Sequence, residues 1–191
     1  MNTIYLLRHS LTEANERHLY GGSTDSPLTD AGRSIALETR KARPLPEVDL
    51  YVSSGMARAD ETLQLLTGRA PDVTLPQLRE MDFGAFEMRG YDELKTVPEY
   101  IRWIEDQTGE VHCPGGECMN AFRARVLAGG DYLLMRPENA AIVVCHGGVI
   151  VNLMEAWFPE VSRNFYEWQP AACRGYRIEV SKCLATRFLE I

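Results

Sequence analysis

A three-layer α/β/α sandwich around a mostly parallel central sheet is the fold class that this sequence predicts. Two observations predict it. Three short apolar runs, Thr3 to Leu7, Val48 to Val52 and Ala140 to Cys145, each lead into polar or glycine-bearing turns, which is how strands buried on both faces read. A helical pattern follows each run, and strands alternating with helices imply parallel crossover units.

The elements follow in order. The first run, in "IYLLRHSLTEAN", stops at Arg8 and His9. Cations at the tip of a buried strand cost solvation energy unless something anionic meets them; read alone, the pair is a solvated strand end. Thr29 is placed to cap a helix over residues 30–42, with Asp30 in its first turn and Pro44 beyond its end. Residues 56–67 carry Ala59, Leu63 and Leu66 at helical spacing, and Gly68 is placed to stop them. The stretch from Met81 to Gly116 reads as an irregular insertion with short helices. Glu117 to Met135 is mostly helical through Met119, Phe122 and Val126, with Gly129 and Gly130 weakening its middle. In "HGGVIVNLMEAWFP", Val149, Leu153 and Trp157 share one face and Pro159 closes the segment. Gly175 to Val180 and Leu184 to Leu189 read as a hairpin. With no repeat, low-complexity segment or linker, residues 1–191 form one domain.

Composition narrows the function classes. A hydrophobic content of 45% is ordinary and supplies a sizeable core. No apolar run approaches the roughly 18 residues that a spanning helix needs, and "MNTIYLLRHS" has no positive leader. The expectation is a cytoplasmic protein without a membrane partner. Five cysteines, an odd number, point to reduced thiols. A net charge of -7 repels phosphate backbones and weighs against a nucleic acid surface. Any anion site must be a local basic pocket.

Open α/β sheets bind ligands outside the carboxyl ends of their strands. Arg8 and His9 end the first run, Arg58 opens the helix after "SSGMAR", and His146 follows the third run, just before Gly147 and Gly148. Three strand ends thus bring two arginines and two histidines to one edge, an arrangement that predicts a bound dianion. Guanidinium forks match phosphate oxygens. The helix opening at Gly147 adds N–H donors. A neutral imidazole is a competent nucleophile, and a second one can donate to the transferring group.

The blocks "LLRHSLTEAN", "GSTDSPLTDAGR", "SSGMARADETL", "LREMDFGAFE" and "VVCHGGVI", in order over residues 4 to about 155, resemble the histidine phosphatases, the phosphoglycerate mutase-like superfamily. The resemblance implies His9 as phosphohistidine nucleophile, with Arg8, Arg58 and His146 forming the phosphate pocket and Gly147 beside it. It also makes Asn15 a pocket contact and Glu80 the proton donor to the leaving group. It implies a phosphoglycerate mutase-like fold and a small-molecule phosphomonoester as partner, with no cofactor. Two positions depart from the family pattern: Ser10 stands where the family usually has Gly, and Leu11 where it has Glu or Gln. Leu11 thereby removes a polar side chain near the pocket mouth.

Plainer readings stand beside these. Glu80 could pair with Arg79 at the surface, Asp25 could close a turn, and Cys145 could be a small apolar neighbour of the site. His112, Cys113 and Cys118 in "HCPGGEC" could be metal ligands, but their spacing fits no zinc pattern and lacks a fourth ligand, so no metal is expected. That block resembles a family loop at the pocket mouth, which makes Glu117 a substrate-side or bracing residue. Ala14 stands where the family's mutases carry Trp, and the chain is shorter than theirs. "LREMDFGAFEMRGYDEL", "PGGE" and "WQPAACRGY" resemble the alpha-ribazole phosphatases of the family, which remove the 5′-phosphate of a cobalamin nucleotide-loop intermediate. A phosphatase is therefore expected, with a mutase-type phosphotransferase or a non-catalytic phospho-ligand-binding protein as the rivals. Nothing in the sequence sets an oligomeric state.

Overall fold

A computed structural model describes residues 1–191. Its six strands are β1 (Thr3–Arg8), β2 (Leu50–Ser53), β3 (Val73–Thr74), β4 (Ala140–Cys145), β5 (Gly175–Ser181) and β6 (Leu184–Glu190). They lie side by side in the order β3-β2-β4-β1-β5-β6. The first four in that row are mutually parallel, and β5 runs antiparallel to both β1 and β6.

Side chains alternate across the central strands, and both faces are covered, which is why the runs look uniformly apolar. Leu7, Tyr51, Ile142 and Val144 pack with Ala36, Ala59, Leu63 and Leu66, from α2 (Asp30–Ala42) and α3 (Ala57–Thr67). Leu6, Val52, Ala141 and Val143 pack on the other side with Phe122, Val126, Val149 and Leu153, from α6 (Met119–Leu134) and α7 (Gly147–Trp157). The expected three layers are present.

The stop signals operate as read. The Thr29 hydroxyl accepts from Gly32 N–H at 3.0 Å, and Gly68 ends α3 at φ +79°. The β5–β6 hairpin turns through Lys182 and Cys183 at φ +50° and +60°, the left-handed pair that matches strand twist. The insertion holds α4 (Tyr91–Leu94) and α5 (Pro98–Ile104). All five cysteines are free thiols, four of them buried. No helix is long and apolar enough to cross a membrane.

Several elements differ from expectation. The second strand begins at Leu50, not Val48, because its ladder with β4 spans Leu50 to Ser53. The two-residue β3 and the single-turn helices α1 (Glu13–Glu16) and α8 (Phe165–Trp168) are too short to show a period. α6 runs unbroken through Gly129 and Gly130. A Cβ on Gly129 would stand 2.9 Å from Gln77 Cβ, and one on Gly130 2.6 Å from Leu153 Cδ2. These glycines let α6 lie close against the 76–78 turn and α7.

The register positions the site. Arg8 pairs with Cys145 across β1–β4, and Ser53 pairs with Val144 across β2–β4. β1 and β4 therefore end level and β2 one residue earlier, so His9 and His146 emerge side by side with Ser54 next to them.

Candidate active site

His9 is held first by its backbone, whose N–H donates to the Cys145 carbonyl at 2.9 Å. Its Nδ1 lies 2.6 Å from the Ser10 carbonyl. A carbonyl only accepts, so Nδ1 carries the hydrogen and Nε2 keeps its lone pair. Burial, then the charges of Arg58 and Arg8, lower the imidazole pKa to about 3. The ring is neutral at physiological pH.

His146, fully buried, stands 5.0 Å from His9 between ring centroids. Arg58 Nε donates to its Nδ1 at 3.3 Å. The guanidinium has no lone pair to offer, so the imidazole hydrogen sits on Nε2, which donates to Ser54 Oγ at 2.8 Å. Burial, followed by His9 and the arginines, pushes this histidine well below its ordinary pKa. Arg58 is buried as well, and its Nη1 and Nη2 donate to the carbonyls of Thr24 and Gly22 at 2.9 and 2.7 Å.

Glu80 turns inward, away from Arg79, whose Nε instead donates to the Ser54 carbonyl at 3.4 Å. One carboxylate oxygen accepts from Gly148 N–H at 3.0 Å and the other from Met81 N–H at 3.1 Å. Burial raises the Glu80 pKa; those N–H groups, Arg58 and Arg8 oppose it without cancelling it. A Cβ on Gly148 would stand 2.6 Å from this carboxylate, so glycine there leaves room for the acid.

A cavity of about 360 Å³ opens over this edge, lined by Arg8, His9, Asn15, Glu80, Gly147 and Gly148 on its polar side. Asn15 Oδ1 is used by Thr12, accepting from its N–H and hydroxyl at 3.0 Å each, which leaves the amide nitrogen as its donor. Arg8 keeps one tie, Nη1 to the Pro170 carbonyl at 3.0 Å. The predicted residues are thus brought together in two tiers. Arg8, His9, Asn15, Glu80 and Gly147 reach the wall, whereas Arg58 and His146 lie beneath it, with their polar atoms engaged by protein.

The remaining candidates take the following places. Leu11 is not part of the wall. Ser10 is buried, takes no positive φ, and binds inward through its hydroxyl to the Gly32 carbonyl at 2.7 Å. Asp25 accepts from Ala57 N–H at 2.8 Å, so it serves the first turn of α3, where Met56 provides no side-chain cap and where an anion offsets the Arg58 cation. Cys118 caps α6, His112 Nδ1 meets the Gly116 carbonyl, and no cluster of three His, Cys, Asp or Glu is placed to hold a metal. Glu117 pairs with Arg125 at 2.7 Å and lies outside the cavity wall.

Two features went unread. Ser54, second serine of "SSGMAR", accepts the His146 Nε2 hydrogen; its small size and polar neighbours gave no periodic signal. The cavity's far side is aromatic, with Tyr20, Phe83, Trp103, Phe165 and Tyr166. These come from separate stretches that only folding joins.

The histidines make stability pH-dependent. Folded His9 has a pKa below the ordinary value of about 6.5, so the unfolded chain takes up its proton first as pH falls. Stability should fall between pH ~6.5 and the folded value of about 3. His146 adds to the loss; Glu80, raised in the fold, opposes it as the pH approaches its unfolded range. Melting midpoints measured from pH 7 to 4 should drop less steeply in His9→Gln than in wild type. Parallel slopes would contradict a neutral buried His9.

Comparison with known proteins identifies the family and the fold. The model of the histidine phosphatase superfamily (branch 1) matches residues 4–186. The chain is 32% identical over 152 residues to "Probable phosphoglycerate mutase GpmB" of Salmonella paratyphi C, covering 77% of this chain and 70% of that one. Among solved structures, it is similar to the alpha-ribazole phosphatase from Shigella flexneri at TM-score 0.87 and 26% identity, covering 99% of this chain and 96% of the other. It also resembles a phosphoglycerate mutase from Thermus thermophilus, at TM-score 0.74 and 27% identity, with 99% of each chain covered.

Proposed function

The chain belongs to the histidine phosphatase superfamily (branch 1), and from that premise we propose that it hydrolyses a small phosphorylated metabolite through a phosphohistidine on His9. The observation that carries this reading is the free lone pair on Nε2 of a neutral His9, facing a cavity rimmed by Arg8, Asn15 and the opening of α7. Nε2 attacks phosphorus as the ester oxygen leaves, and Glu80 gives that oxygen its proton. Water then attacks the phosphohistidine, giving its proton back to Glu80, and His9 and phosphate are released. Arg8, the Asn15 amide and the Gly147 N–H hold the equatorial oxygens. Arg58 and His146 add charge and orientation from beneath.

The aromatic side of the cavity suits a substrate that carries a planar group, and with the Shigella flexneri likeness it favours alpha-ribazole 5′-phosphate. The relatives named as mutases support a second reading, phosphoryl transfer between hydroxyls. A screen of phosphomonoesters that includes alpha-ribazole phosphate and 3-phosphoglycerate separates the two. The expected result is released inorganic phosphate, with the highest kcat/KM for alpha-ribazole phosphate. Phosphate moved within 3-phosphoglycerate without release would favour the mutase, and binding without turnover a phospho-ligand-binding protein.

Within this proposal the enzyme is cytoplasmic, takes a small-molecule substrate, not nucleic acid or membrane, and needs no cofactor. Its arginines supply the charge that magnesium supplies in other phosphoryl transfers. Activity should survive exhaustive chelation; loss reversed only by a divalent ion would count against it.

A further inference from the structure

Arg125 lies on α6, outside the cavity wall, yet each of its five N–H donors has an acceptor. Nη1 donates to the carbonyls of Gln77 and Arg79 at 3.0 and 2.9 Å. Nη2 donates to the carbonyl of Glu80 at 3.3 Å and to Glu117 Oε2 at 2.7 Å. Nε donates to Glu117 Oε1 at 2.9 Å. Glu117 then grips the next turn of chain, with Oε2 accepting from Asp82 N–H at 3.0 Å and its own N–H donating to the Asp82 carbonyl at 2.9 Å.

The segment so held, residues 80–83, belongs to no helix or strand. It has no ladder to fix it, and it carries Glu80. The clasp fastens it to a 16-residue helix that Gly129 already brings against Gln77 and Leu78.

We propose that Arg125 is a positioning residue, which with Glu117 fixes the backbone around Glu80 so that its carboxyl meets Gly148 N–H and faces the leaving-group oxygen. Its catalytic part rests on the reading of Glu80 as proton donor. Lysine keeps the charge but not the planar fork, so Arg125→Lys should let the segment drift. Displacement of a catalytic group by about 1 Å costs on the order of 10²-fold.

The test compares Arg125→Lys and Glu117→Gln with wild type on an alkyl phosphate and on p-nitrophenyl phosphate, and follows the Gly148 amide resonance by NMR. Arg125→Lys should slow the alkyl ester by roughly 10- to 100-fold and leave the aryl ester little changed. Added to Glu80→Gln, it should cost nothing more on the alkyl ester. The Gly148 amide should move towards its position in Glu80→Ala. Should Arg125→Lys unfold, Glu117→Gln, which loosens the clasp from the other side, carries the same readouts. Equal losses on both esters, full additivity with Glu80→Gln, or an unmoved Gly148 amide would overturn the proposal. If Glu80→Gln itself fails to distinguish the esters, the donor reading fails, and the Gly148 amide still decides whether Arg125 sets the carboxyl.

Discussion

His9→Ala should remove turnover on every phosphomonoester, alkyl or aryl, by ~10⁶-fold, the scale on which loss of a covalent nucleophile is felt. The effect should not depend on the leaving group, because without Nε2 no bond to phosphorus forms at all. Wild type quenched during turnover of labelled substrate should carry acid-labile, base-stable phosphate, and His9→Ala should carry none. The mutation removes a side chain whose Nδ1 is tied only to its neighbour's carbonyl, so the surrounding ladder persists and the protein should still fold. Normal activity in His9→Ala, or fast turnover by wild type with no trapped adduct, would end the covalent mechanism.

The second large effect belongs to Glu80 and depends on the substrate. An alkoxide is a poor leaving group unless it is protonated as its bond breaks, whereas p-nitrophenolate needs little help. Glutamine keeps an oxygen for Gly148 N–H and the same length, but has no acidic proton. Glu80→Gln should slow alkyl phosphates by about 10²–10⁴-fold and p-nitrophenyl phosphate far less. The raised pKa of Glu80 keeps it protonated to higher pH than an ordinary carboxyl, and activity on alkyl esters falls once that proton is lost. The basic limb of the alkyl pH profile should therefore vanish in the mutant. Equal losses on both esters would make Glu80 an organiser of the pocket.

The fold was legible because its central strands are buried on two faces and its helices carry stop signals such as Thr29 and Gly68. The site's upper tier was legible too, since Arg8, His9 and Gly147 sit where runs end and a helix opens. What the sequence hides is which atoms are already spoken for. Nothing local shows that Arg58 spends its Nη groups on Gly22 and Thr24, or that Ser54 takes the hydrogen of His146. Those partners stand 34 to 92 positions away along the chain. The aromatic wall and the Arg125 clasp were hidden for the same reason, as each joins residues from stretches far apart along the chain.

The level ending of β1 and β4 carries one more consequence. Alternate residues of a strand face opposite sides, so a slip of β1 by one position against β4 would exchange Leu6 for Leu7 in the core and turn His9 away from His146. Most of the strand's side chains are apolar, and such a slip would still bury them. The chemistry is less forgiving than the packing, since a misregistered chain could look folded and have no nucleophile in place. Catalytic competence in this protein is thus a stricter measure of native structure than compactness or secondary structure content.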